Sequence, residues 1–256
     1  MYKTLLVEIR EKVGILSLNR PESYNTFNLE MAGELNDALE ELDQNDSVNV
    51  ILLRAQGRNF CTGIDVNYVD GKTMEDYLDW VRLMEKMNST IASMKKPVIT
   101  SVQGLAIANG IGLVAASDLA LASDRAKFGA TAINVGLFCM GPAVPLLRSL
   151  GRKRTLELIM TGDLINAHEA KDMGLINKVF PHEELEEQSF NYALKLAKKS
   201  PKALQLGKKS FYQIEDLDYG QATEVSNYHF ASLCTTKEGQ EGVRAFLEKR
   251  QAAWED

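Results

Sequence analysis

Two segments of this chain each run from a short apolar strand into a glycine-containing turn and then into a helix. This pairing constrains the fold more than any other feature. The first is the run Val48–Leu53, followed by Asn59-Phe60-Cys61-Thr62-Gly63-Ile64-Asp65. The second is Pro97–Val102, followed by Gly104-Leu105-Ala106-Ile107-Ala108-Asn109-Gly110-Ile111-Gly112. Nearly continuous apolar runs of this length mark strands buried on both faces. Turns that leave such strands sit at the carboxyl ends of a sheet, where open α/β sheets place their ligands. Each turn also opens a helix, whose first N–H groups lack intrahelical acceptors, and two such groups aimed at one point would hold an oxyanion.

The rest of the chain fits this frame. Residues 4–9 and 13–18 read as two strands turning at Glu11-Lys12, and Asn28 is placed to cap a helix with an apolar face at Met31, Leu35, Ala38, Leu39 and Leu42. Residues 74–94 have helical spacing, a small-residue helix starts near Gly110, and Asp118–Ala122 is strand-like. Alternating strands and helices argue α/β. Beyond about residue 140 the pattern is mostly helical, over 142–150, 153–160, 167–173, 183–199, 202–213, 218–233 and 237–251. The expected division is a core over 1–195 and a helical assembly region over 196–256.

Charge and composition exclude several classes. With 29 Lys and Arg against 35 Asp and Glu, the net charge of -6 is wrong for a chain that neutralises nucleic-acid backbones. Cys61, Cys139 and Cys234 are odd in number and scattered, which points to reduced thiols in the cytoplasm. No CxxC pair and no clustered histidines prepare a zinc site. The amino-terminal stretch reads as neither a signal nor a transit peptide, and no window has the apolar length of a membrane span. The spacing of Gly104…Gly112 is not that of a dinucleotide loop.

The chain resembles the enoyl-CoA hydratase/isomerase (crotonase) superfamily along nearly its whole length. The resemblance rests on LSLNRPESYNTFN, FCTGID, KKPVITSVQGLAIANGIGL, SDLALASDRAKFG, LIMTGDLINAHEAKDMGLINKVFP and EGVRAFLEKR, in that order. It implies a spiral of ββα units with a helical carboxyl-terminal trimerisation region, trimers that pair into hexamers, and an acyl-CoA ligand with no separate cofactor. It places the oxyanion-binding N–H groups on Ile64 and Asn109. It places the CoA along Ser23, Tyr24, Asn25, Gly63, Asp65, Val66 and Asn67, with Arg20 and Arg58 as cationic candidates. Phe230 and Lys249 would reach a neighbour's site, and Ala132, Asn134, Leu137, Cys139 and Met140 would line the acyl pocket. Asn109 can also cap its helix, and Asp65 reads first as a cap.

One departure from the family pattern bears on the reaction. Its hydratases use two glutamates, and the corresponding positions here are Gly112 and Ala132. Neither residue can exchange a proton. Tyr68, Asp70, Glu75, Asp76, Asp79 and Cys139 are the substitutes to weigh. The expectation is therefore an acyl-CoA enzyme of enolate type in which two-glutamate hydration is lost. The alternative is a catalytically weak acyl-CoA-binding or assembly protein.

Overall fold

In the computed structural model, which describes residues 2–68 and 71–254, strands and helices alternate as the sequence predicts. The elements are β1 (Leu5–Arg10), β2 (Val13–Leu18), α1 (Leu29–Gln44), β3 (Val50–Ala55), α2 (Met74–Ser93), β4 (Val98–Val102), β5 (Leu105–Ile107), α3 (Asn109–Ala116), β6 (Leu119–Ser123) and β7 (Lys127–Gly129). They continue with α4 (Met140–Thr161), β8 (Ile165–Asn166), α5 (Ala167–Met173), β9 (Lys178–Phe180), α6 (Leu185–Ala197), α7 (Pro201–Ile214), α8 (Tyr219–Cys234) and α9 (Lys237–Leu247).

The large sheet has the order β1-β2-β3-β4-β6-β9, antiparallel between β1 and β2 and parallel elsewhere. A second, smaller sheet contains β5, β7 and β8. Isolated bridges extend this second layer, pairing Cys61 with Ala106 and Phe27 with Ile64. After β2, β3, β4 and β6 in turn, the chain therefore adds a strand or bridge to the second layer. With α1, α2 and α3 as the intervening helices, this is a ββα spiral.

The large sheet is buried on both faces, as its apolar runs require. Leu16, Leu18, Ile51, Leu53, Val98 and Val102 face the main core, which α1–α5 close. Val13, Ile15, Val50, Leu52, Ile99 and Leu121 face Phe190, Ala193 and Ala197 of α6. Asn28 caps α1 as expected, its side chain accepting from Met31 N–H. The buried Lys96 of the KKPV segment donates its ammonium to the carbonyls of Leu42 and Asn45 at the far end of the same helix. This satisfies orphan carbonyls and anchors the start of β4.

The two helices expected over 142–150 and 153–160 form one, α4, kinked at Gly151, where φ is 73° and ψ is 171°. The region after α6 is tied to the spiral by charge. Lys208 of α7 is buried; its ammonium donates to Asp118 at 2.7 Å and to the Lys96 carbonyl at 3.0 Å. Asp118 also accepts from Tyr212 Oη and from Val98 N–H. By contrast, α8 buries none of its residues within one chain, and Tyr219, Tyr228 and Phe230 are exposed along it.

Candidate active site at the paired glycine turns

The two strand-to-helix turns lie side by side. Cys61 N–H donates to the Leu105 carbonyl at 3.1 Å, and Ile107 N–H donates to the Cys61 carbonyl at 3.0 Å. Gly63 has φ +105°, and a Cβ built there would stand 2.9 Å from the Ala108 Cβ and 4.0 Å from the Asn109 nitrogen. Only glycine permits both this backbone and this approach. Among the described residues, neither Ile64 N–H nor Asn109 N–H has an acceptor. Two free donors thus meet where the turns touch, the second at the first residue of α3.

Asn109 itself is helical. The unusual backbone falls one residue earlier, on Ala108, with φ 50° and ψ -117°. A residue with a Cβ is strained there, and such strain collects at functional sites.

The two segments expected along the CoA are joined beside these turns, with Thr62 N–H donating to the Tyr24 carbonyl at 3.2 Å and Phe27 N–H to the Gly63 carbonyl at 2.8 Å. Ser23 ends a short 3-10 turn, and Tyr24 and Asn25 follow with φ 52° and 56°. Asn25 is fully buried, and its side chain is spent inside the protein. It accepts from Arg20 N–H and donates to the carbonyls of Gln56 and Asn59, each within 2.9 Å. Arg20 is partly buried. Its guanidinium donates to the Thr26 carbonyl and lies 3.6 Å from Asp65. Asp65 accepts from the backbone and side-chain nitrogens of Asn67, as a cap does, at the start of the short turn Val66–Tyr68. Arg58 is exposed.

The remaining candidates are more dispersed. Ala132 is half-buried at the edge of the main core, and Cys139 is buried at the start of α4. Leu137 and Met140 are exposed, and the exposed Asn134 turns its amide toward the Gly162 carbonyl at 3.4 Å. Phe230 on α8 and Lys249 beyond α9 are exposed, and within one chain no hydrogen bond or ion pair among the described residues joins their side chains to the turns. Glu75, Asp76 and Asp79 are exposed on α2, where Asp76 completes a capping box with Thr73. Asp70 lies outside the described residues. Gly112 is an ordinary helical residue of α3; the space a side chain would need is taken by Pro142, whose ring and Cα lie 3.1–3.2 Å from a built Cβ.

The sequence reading missed Glu85. It is half-buried on α2, and its two carboxylate oxygens accept from Asn109 Nδ2 at 2.8 Å and Asn88 Nδ2 at 2.7 Å. Gly141 leaves room for it, since a Cβ there would strike the carboxylate. Burial pushes its pKa up to about 7 against the two donated hydrogen bonds. The Cys139 thiol, raised mainly by its own burial, also feels the Glu85 charge. A helical wheel puts Trp80, Met84, Met87 and Ile91 on the core face of α2 and Glu85 on its flank, where acids are usually solvated.

Known proteins share this fold and much of this sequence. Residues 8–256 match the family model described as enoyl-CoA hydratase/isomerase. The rat mitochondrial enoyl-CoA hydratase domain-containing protein 3 is 38% identical over 253 residues, 97% of this chain and 84% of that protein. A probable enoyl-CoA hydratase of Rhizobium meliloti is 33% identical over 98% of this chain and 97% of its own length. The crystal structure of an enoyl-CoA hydratase from Mycobacterium smegmatis superposes with a TM-score of 0.95 at 34% identity, covering 98% of this chain and 99% of that one. Sequence, fold and the paired turns lead to one assignment: the chain belongs to the enoyl-CoA hydratase/isomerase family.

Proposed function

We propose that the protein binds an acyl-CoA thioester and polarises its carbonyl between the N–H groups of Ile64 and Asn109, so that an enolate can form. The observation carrying this reading is the pair of free donors where Gly63 meets Ala108. Preorganised donors of this kind are worth about 10²–10³ in rate each. The nucleotide part of the ligand would follow the surface from Ser23–Asn25 to Asp65–Asn67, and no separate cofactor is required. Names given to the relatives, such as probable enoyl-CoA hydratase, support the substrate class.

Standard hydration is a poor fit. The carboxylates it uses are replaced by Gly112 and Ala132, and losing positioned acid–base groups costs about 10²–10⁴ for each role. The test is crotonyl-CoA hydration beside calorimetric binding of the same thioester. Micromolar binding with hydration far below that of a two-glutamate relative is expected. Absence of thioester binding would refute the proposal. Pro142 filling the place beside Gly112 favours a second reading, an acyl-CoA-binding protein without turnover.

The assembly proposed is a trimer or a pair of trimers, built through the helices after α6. Support comes from α8, which buries nothing within one chain, and from the exposed Phe246 and Leu247 at the end of α9. Large apolar side chains left exposed in this number are expected where chains make contact. A stable monomer in light scattering at micromolar concentration would contradict it. A cytoplasmic setting is proposed from three free cysteines, one of them exposed. No helix among the described residues is long and apolar enough to cross a membrane.

A further inference from the structure

We infer that Glu85 is the group that moves protons at the thioester α carbon, in place of the two missing glutamates. The inference rests on the function proposed above, because it needs a thioester held by Ile64 and Asn109. Two contacts and one electrostatic interaction place the carboxylate. Its Oε1 accepts from the side chain of Asn109, the residue whose own N–H is one of the two oxyanion donors. It lies against Gly141, whose neighbour Pro142 covers Gly112. It acts electrostatically on Cys139, which also contacts the Ala132 backbone. This half-buried acid is thus bonded to the oxyanion turn through Asn109 and linked to the two positions that lack a family glutamate through Pro142 and Cys139. Glu85 also lines a mostly apolar cavity of about 1050 Å³ between α2, α3, α4 and α7; Ile64, Asn109, Ala132 and Cys139 are not part of its lining, so this cavity exposes the carboxylate on the side away from the turns.

The environment suits a base working near neutrality. From α3 the carboxylate meets Asn109, from α4 Cys139 and Gly141, and on α2 Asn88. The charged groups farther round the cavity pair with one another: Lys208 and Tyr212 with Asp118, and Arg148 with Glu215. None of them neutralises Glu85, and its pKa near 7 comes from burial. A general base is most effective when its pKa lies near the working pH.

The step balances without another reagent. The Glu85 carboxylate takes a proton from Cα. The C–H electron pair becomes the Cα–C double bond of the enolate, and the carbonyl π pair moves to the thioester oxygen, between the two N–H groups. Neutral Glu85 then returns the proton to Cα, or to Cγ of a 3-enoyl chain, which brings the double bond into conjugation. A single carboxyl group suffices for this proton shift, whereas hydration would also need a placed water.

The experiment is α-proton exchange of butanoyl-CoA in D2O, followed by NMR, with binding measured in parallel. Wild-type protein is expected to exchange the α protons at a rate that rises with pH through about 7. Glu85→Gln keeps a partner for Asn109, so it should bind the thioester within about threefold of wild type. It should also lose at least ~100-fold in exchange. Glu85→Asp should recover part of the rate. Undiminished exchange in Glu85→Gln would overturn the role of Glu85. Binding without any wild-type exchange would overturn it too while leaving the binding proposal intact, whereas absence of binding would remove both.

Discussion

Pro142 stands over the Cα of Gly112, close enough that a Cβ on the glycine would come within 3.1 Å of its ring. A glutamate at position 112 would not be obstructed by backbone conformation. The backbone there is helical, and the obstacle is instead a neighbour from α4. Gly112→Glu should therefore overpack the α3–α4 contact, at about 1–3 kcal/mol. Gly112→Glu with Ala132→Glu is expected to leave crotonyl-CoA hydration low. Adding Pro142→Gly should raise it, as read from loss of the enoyl absorbance.

The raised pKa of Glu85 has a thermodynamic signature apart from any reaction. The folded protein holds a proton that the unfolded chain releases between pH about 4.5 and about 7. Stability is therefore fully present below this window and falls as pH rises through it. The loss is about 3 kcal/mol, at 1.36 kcal/mol per unit. Glu85→Gln lacks this slope. Its melting temperature should exceed that of wild type at pH 8, with the gain shrinking toward pH 4.5.

Ala108 and Gly63 should respond in opposite directions. Ala108→Gly removes a strain of about 1–3 kcal/mol, against about 0.4–1 kcal/mol of added unfolded-state entropy. A rise of a few degrees in the melting temperature is expected. Gly63→Ala puts a methyl group against the Ala108 Cβ at a φ of +105°. It should lower the melting temperature and, by shifting the Ile64 N–H, reduce α-proton exchange by about 10²-fold.

Arg20 links the Tyr24–Asn25 turn to Asp65. Arg20→Met should weaken butanoyl-CoA binding several-fold. The thioester of pantetheine, which lacks the nucleotide, should bind as before. Equal losses for both ligands in calorimetry would detach Arg20 from the nucleotide end.

The legible and illegible parts of the molecule differ in what stabilises them. β1, β2, α1 and α5 follow from local signals: an alternating or continuous apolar run, an Asn cap, a Gly stop. β5, β7, β8 and β9 have at most three residues and exist because the spiral supplies their partners. No periodicity can develop over so short a span. The two glycine turns were legible as strands running into glycine-containing loops, whereas Ile64 and Asn109 within them were singled out only by the family resemblance. The Glu85–Asn109 contact joins residues 24 apart through side chains on two helices, and residue spacing carries no trace of it.

Lys208 and Tyr212 complete the hydrogen bonding of Asp118, a residue of the spiral, from a helix that follows it. A chain ending at residue 196 would leave that carboxylate with only the Val98 N–H, in a place built for a cation. Breaking one side of a buried ion pair costs about 3–5 kcal/mol, a large part of the stability of an ordinary domain. The carboxyl-terminal helices are therefore not an interchangeable module. Grafting them from a relative would require the graft to carry its own lysine to the same carboxylate.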